Sequence, residues 1–229
     1  MGVFMAPFFF IHIHMATPTT VDTDTELSAV NSILGAIGQS PVTSLGPADN
    51  GTGETINFAN PEIGFIYNIL TEVNKDVQNE SWVFNTEFHV KLSPDVNKNI
   101  LIPTNVLRYD LHEDNVYRTK NLIRKSGKLW DTIKQTYEFD TDLYLDITYL
   151  YPFTDLPSAF QRYIISRSSV RAATQLVSNP QLVQLLQSQE ALARATCIEY
   201  ECQQGDHSYM GFPDESTYRT YQPYSVLYR

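Results

Sequence analysis

Residues 26–42 read ELSAVNSILGAIGQSPV, and a short helix with its stop signal is legible in them. Leu27, Val30, Ile33, Leu34 and Ile37 recur at steps of three and four, which places them on one helical face. Thr23 and Glu26 have the spacing of a capping box, in which the threonine side chain takes a free N–H of the first turn and the glutamate reaches back. Gly38 and Pro41 supply the stop, since glycine enters the left-handed cap without a Cβ clash and proline cannot continue a helix. A stripe of this kind needs an apolar partner, and the next helix offers one.

That helix follows a loop over 43–57, rich in glycine, proline and polar residues. Asn60 reads as its N-cap and Pro61 as its first residue, where the missing N–H costs nothing. Ile63, Ile66, Leu70, Val73 and Val77 form its stripe, with Glu62, Asn68, Glu72, Lys75 and Asp76 away from it. At Trp82 the apolar period changes. Phe84, Thr86, Phe88, Val90 and Leu92 alternate with Asn85, Glu87, His89 and Lys91, which predicts a half-exposed strand. Further strands are expected at 100–102, restricted by Pro103 to an edge or an end, at 106–109, and at 143–151. Residues 116–123 and 128–133 flank Lys125, Ser126 and Gly127 as a hairpin. Together these predict a compact antiparallel sheet between residues 83 and 152.

Helical signals return at Asp155, read as an N-cap, with Pro157 just inside. Phe160, Tyr163, Ile164, Val170, Ala173 and Leu176 or Val177 give the buried stripe of this third helix. Asn179 and Pro180 open a fourth, reaching about residue 204, with Leu182, Leu185, Leu186, Leu192, Ala193 and Thr196 on its apolar side. So short a connection makes the last two helices antiparallel. The expected fold class is therefore α+β: a four-helix bundle with an inserted antiparallel β-sheet region and an extended C-terminal arm. Its divisions are 1–24, an N-terminal extension expected to be flexible; 25–82, the first two helices; 83–152, the inserted β region; 153–204, the last two helices; and 205–229, the arm. The arm loses apolar periodicity yet keeps Tyr209, Phe212, Tyr218, Tyr221, Tyr224 and Tyr228. That aromatic content predicts docking on its own domain or on a neighbour.

The chain has 229 residues and a formal net charge of -10. So acidic a chain is not expected to grip nucleic acid, because phosphate binding draws its affinity from Lys and Arg. Negative charge remains compatible with the wall of a conduit through which DNA passes without specific binding. The 14 tyrosines suit extended contact surfaces and a tyrosine-rich β region alike. Cys197 and Cys202 lie five apart on one helix and are expected to be free thiols, in keeping with a reducing compartment. The apolar start, MGVFMAPFFFIHIH, lacks a basic flank and is too short to span a membrane. Met15 offers a second start before the polar run, so residues 1–14 are expected to be an extension of the reading frame.

Chemistry-bearing constellations are sparse. No glycine-rich phosphate loop, nucleophile elbow, HExxH or CxxC motif is present in the sequence. His12 and His14 lack a third ligand nearby, and His89, His112 and His207 are scattered. Glu113 with Asp114, or Asp140 with Asp142, have the composition of a glycosidase pair, but adjacent acids in polar turns are ordinarily solvated. Arg162, Arg167, Arg171 and Arg194 either pair with Glu190, Glu199 or a neighbouring subunit's acids, or form a solvated helix face. No catalytic, cofactor-binding or metal-binding residues are expected, and no enzyme activity; a hydrolase of cell wall or polysaccharide is the alternative reading, and an acidic cytoplasmic binding module a third.

Particular wording within these elements resembles the tail tubular protein A family, the head-to-tail adaptors of short-tailed podovirus phages. The likeness begins in the opening helix. It continues through Ser81–Asn85 (SWVFN), Leu92–Val96 (LSPDV) and Leu156–Ile165 (LPSAFQRYII), then through Glu190, Ala191, Ala193, Arg194, Cys197, Glu199, Tyr200 and Glu201. These anchors span roughly residues 25 to 204. The middle of the sheet is similar only in pattern, and the tail differs in detail. What the resemblance implies is a structural virion protein: a ring of about twelve copies joining the portal to the tail nozzle (tail tubular protein B), surrounding the DNA channel and helping to attach tail fibres. It also implies residence in the virion tail, with assembly in the host cytoplasm.

Overall fold

The computed structural model describes residues 25–46, 60–112 and 120–205. The extension 1–24, most of the loop 43–57, the segment 113–119 and the arm beyond Gly205 lie outside them.

Helix α1 spans Glu26–Ala36 and α2 spans Pro61–Gln78. The cap of α1 is Thr25, not a Thr23–Glu26 box. Thr25 is the last extended residue, and its hydroxyl accepts the Ser28 N–H at 3.2 Å while Ser28 Oγ donates to the Thr25 carbonyl at 2.9 Å. Glu26 is thereby free to accept the Tyr67 hydroxyl of α2 at 3.0 Å. Gly38 ends the segment at φ +80, and the Gln39 N–H reaches back to the Leu34 carbonyl. In α2 the expectation holds in detail. Asn60 Oδ1 accepts the Glu62 N–H at 3.1 Å, Pro61 follows, and Ile63, Ile66, Leu70, Val73 and Val77 are all buried.

Helix α3 (Ser158–Ala172) and helix α4 (Pro180–Gly205) close the chain's helical layer. Asp155 does not cap α3: it ends a 3-10 turn over Phe153–Asp155, and Pro157 occupies the N-cap position without a side-chain bond. Ala173–Val177 form a π turn closed by Ser178 at φ +52. A π turn holds more residues than an α turn, so it rotates the helical face. Leu176 and Val177, expected in the core, emerge 41% and 39% exposed. Asn179 caps α4 as expected, accepting the Gln181 N–H at 3.1 Å. The apolar side of α4 agrees with the one expected at Leu182, Leu186 and Ala193 and departs from it elsewhere. Leu186 and Cys197 are buried, with Leu182, Val183, Ala193 and Tyr200 packed beside them, while Leu185, Leu192 and Thr196 face outward.

Helix α3 is the common partner on which α1, α2 and α4 all pack. Phe160, in the first turn of α3, has no exposed surface, and its ring lies 4.9 Å from Trp82, 4.5 Å from Phe84 and 5.9 Å from Tyr200. Complete burial of such a ring contributes about 3 kcal/mol by transfer alone.

The β region is two sheets and not one. Strands β1 (Thr86–Leu92), β2 (Val106–Leu111) and β5 (Leu143–Tyr149) form an antiparallel sheet in the order β1-β5-β2. Strands β3 (Leu122–Lys125) and β4 (Lys128–Asp131) form a separate hairpin. Ser126 and Gly127 turn it at φ +53 and φ +75, the conformation a two-residue hairpin favours. Leu101 bridges to Lys128, so the expected strand at 100–102 is a single contact on the hairpin's edge. Ile100, Ile102, Val106, Leu129, Phe139, Leu143, Leu145 and Ile147 build a second core between the two sheets.

Alternation in β1 fails at a bulge. Glu87 pairs with Ile147 and Val90 with Leu145, so β1 carries one extra residue, and His89 takes φ +59. Phe88 is pushed out to 56% exposure. Upstream, Val83–Asn85 is a 3-10 turn, and Asn85, expected on an exposed strand face, is fully buried.

Candidate assembly surfaces

The chain leaves the helical layer after Gln78 and returns to it at Tyr151, and both crossings are fastened by two buried amides. Gln78 and Asn85 have no exposed surface. Gln78 Oε1 accepts the Tyr151 N–H at 2.8 Å, and its Nε2 donates to the Tyr151 carbonyl and to Asn74 Oδ1, each at 2.9 Å. Asn85 Nδ2 donates to the Gln78 and Tyr149 carbonyls at 2.8 and 3.0 Å, while its Oδ1 accepts the Trp82 N–H at 3.0 Å. Trp82 Nε1 donates to the Val77 carbonyl at 2.7 Å. A buried polar network of this kind is costly unless its members are satisfied, and these are. The joint therefore holds helices and sheet in one fixed relation.

Helix α4 is tied to the same region by charge. Arg194 donates to both carboxylate oxygens of Glu80, at 3.3 and 3.0 Å, and to the Tyr163 hydroxyl at 2.7 Å. Arg167 reaches the same Glu80 at 3.2 Å and the same hydroxyl at 3.3 Å. Hydrogen bonds to Glu80 and Tyr163 hold the Arg194 guanidinium well above its ordinary pKa. Glu201 accepts the Val83 N–H at 2.8 and 3.1 Å, so α4 also grips the start of the joint. Arg171 pairs with Glu72 of α2. The arginines were expected to meet Glu190, Glu199 or a neighbour; three of them meet acids on or just after α2 instead. Arg162 lies in a groove of about 550 Å³ between α3 and α4, where Leu192 and Thr196 form the opposite wall.

The residues considered for chemistry do not converge. Exposed Asp140 and half-buried Asp142 are partners of Lys98 and Lys91, at 2.7 and 2.8 Å, and those lysines hold both carboxyls below the usual range. Glu113, Asp114, His12, His14 and His207 lie outside the described residues. The bulge does bring His89 and His112 together, with ring centroids 4.6 Å apart, although the sequence places them far apart. Asp146 organises the pair, accepting from the His89 backbone N–H and lying 2.9 Å from His112 Nδ1. Among the described residues no group of three or more His, Cys, Asp or Glu is placed to hold a metal ion. Cys197 is buried and Cys202 exposed, both as free thiols; burial pushes the Cys197 thiol up to about 11.

What the surface offers instead is contact area. Leu185 and Leu192 stand 59% and 72% exposed on α4, and Leu101, Ile123 and Phe88 are 59%, 45% and 56% exposed in the β region. Large exposed apolar side chains in several places suit burial against other proteins. Among the described residues no helix is long and apolar enough to cross a membrane.

Comparison with known proteins agrees with this emphasis. A family model described as "Tail tubular protein" matches residues 27–207, which takes in every described strand and all of the helices but Glu26, the first residue of α1. Tail tubular protein A of Klebsiella phage KP34 is 29% identical over 133 residues. That match covers 58% of this chain and 62% of the relative, so it spans less than two thirds of the relative's length.

Proposed function

Because the chain belongs to the tail tubular protein family, and is thus a structural phage tail component, we propose that it forms the adaptor ring between portal and tail nozzle. In this reading about a dozen copies close a ring, the four helices act as the bundle that builds its wall, and the β region reaches toward adjoining proteins. DNA passes through the lumen without specific binding, and the net charge of -10 supports that, since an acidic wall repels the phosphate backbone. The nozzle protein and the tail fibre are the further partners. Assembly takes place in the host cytoplasm before the virion is released. Residues 205–229 would act as an arm that docks on assembly, which couples its ordering to correct placement.

The observation that carries the proposal is the extent of the family match, which runs through both helical segments and the sheet between them. The clamped joint supports it mechanically: a ring under the pressure of packaged DNA needs subunits that do not hinge internally. The family gives no support to the hydrolase alternative, and Asp140 and Asp142 are each held by a lysine in the open. Co-expression with the portal protein, followed by native mass spectrometry and electron microscopy, tests the role. A closed ring seated on the portal is expected; a chain that stays monomeric beside assembled portal would overturn it.

A further inference from the structure

The β3–β4 hairpin is a basic element on an acidic protein. Five of the 16 Lys and Arg residues, Lys120, Arg124, Lys125, Lys128 and Lys134, fall within 120–134 beside a single acid, Asp131. With that segment at +4 and the whole at -10, the rest of the chain carries -14. Asp131 is buried and accepts the backbone N–H groups of Ile133 and Lys134, so it does not neutralise the surface. Among the described residues no carboxylate lies within 4.0 Å of Arg124, Lys125, Lys128 or Lys134, unlike Lys91 and Lys98, which are paired.

Register places these charges beside apolar groups. Lys125 pairs with Lys128 and Ile123 with Trp130, so their side chains share the face opposite to buried Leu129. Leu101 joins that face by bridging to Lys128. Lys125 Nζ lies 4.7 Å from the Trp130 ring centroid, which holds the ammonium over the indole. A face that exposes Leu101 and Ile123 beside Lys125 and Lys128 suits a partner that is both acidic and apolar.

One surface of the chain itself has that character. Glu62, Phe65, Glu72 and Asp76 are exposed on α2 together with its one cation, Lys75, while Ile69 between them is buried, and Phe65 is 40% exposed. Glu72 has Arg171, but among the described residues no cation is paired with Glu62 or Asp76. From Glu62 to Asp76 the acids span about 21 Å, and Lys125 and Lys128, directly opposite each other and about 5 Å apart across the hairpin, reach one end of that span at a time. We propose that the basic face of the β3–β4 hairpin docks on the acidic α2 stripe of a second copy. The two patches lie on different elements, so each contact leaves one patch free on either copy. Repeated from copy to copy, that is a head-to-tail interface, which closes into a ring where the rotation between copies permits. The inference rests on the ring assignment above and adds which surfaces meet.

Charge exchange tests it. K125E/K128E and E62K/D76K are each compared with the wild type by native mass spectrometry, in the portal-containing mixture where the wild type assembles, with far-UV circular dichroism to check folding. Each variant alone is expected to lose assembly by about tenfold or more, because like charges then face each other. Mixed together, the two variants restore complementary pairs and assembly returns to within about twofold of wild type. Two misfolded variants would not rescue one another, so recovery distinguishes lost contact from lost fold. Wild-type assembly in both single variants would overturn the docking while leaving the ring assignment intact. Failure of the wild type to assemble would overturn both. Binding of a duplex DNA oligonucleotide that K125E/K128E abolishes, with assembly unchanged, would assign the hairpin to nucleic acid instead.

Discussion

Gln78→Met separates the joint from the packing around it. Methionine nearly matches glutamine in length and fills the same space, so the change removes the amide's hydrogen bonds without opening a large cavity. It leaves the Tyr151 N–H and carbonyl, and Asn74 Oδ1, without their Gln78 partner. A buried polar group left unsatisfied costs about 1–3 kcal/mol. Tyr151 is only half-buried, so water partly compensates and the lower half of that range applies to each of its two backbone groups. The expected loss is about 2–4 kcal/mol, against less than about 0.5 kcal/mol for a surface control, Gln187→Met. Urea unfolding is followed by tryptophan fluorescence and by circular dichroism at several protein concentrations, since association shifts apparent stability. Trp82 reports the joint and Trp130 the hairpin, so the two transitions coincide if helices and sheet unfold as one unit. In the variant they are expected to separate. A Gln78→Met protein within about 0.5 kcal/mol of wild type, with coincident transitions, would refute the assignment of the joint.

Three further outcomes are expected. Thiol labelling at pH 8 should modify Cys202 at once and Cys197 only on unfolding; burial raises the Cys197 pKa from 9.0 to about 11, so its contribution to stability is full below pH 9.0 and is lost as the pH rises through about 11. Arg194→Lys should cost nearly as much as Arg194→Ala, about 1 kcal/mol, because one ammonium cannot reproduce the fork that meets two Glu80 oxygens and the Tyr163 hydroxyl; a double-mutant cycle with Glu80→Gln measures it. Gly127→Ala should destabilise by about 1–2 kcal/mol in thermal melts, since the left-handed turn resists a side chain although nothing lies within 4 Å of the added Cβ.

Where the sequence spoke clearly, the signal was local. Asn60 with Pro61, Asn179 with Pro180, and Ser126 with Gly127 each fix the backbone within a few residues, and each stands where expected. Misreadings arose where distant residues decide. Asn85 has the period of an exposed strand position, but a 3-10 turn carries it inward to carbonyls of Gln78 and Tyr149. In α4, leucine and alanine are spread around the helix, so periodicity cannot tell whether Leu192 or Cys197 faces α3. Phe88 was lost to a bulge whose signal, a histidine in left-handed conformation, is invisible in composition. Glu80, the acid that Arg167 and Arg194 share, lies 87 and 114 residues away from them, beyond any spacing rule. The surfaces suited to assembly were not legible, because exposure emerges only when the helices have chosen their faces.

The two crossings that meet at Gln78 also carry an evolutionary consequence. The sheet departs from the helices and comes back to them at one side chain, so the helical layer requires only that the chain return to where it left. Everything between Thr86 and Tyr149 can then change length, gain a decoration or be transplanted from a relative without disturbing the layer, provided Gln78, Asn85 and the Tyr151 backbone keep their places. Insertions and deletions across the family are expected to gather in that span and to spare its two ends. A tail protein built this way can follow a changing neighbour with one part while the other keeps its hold.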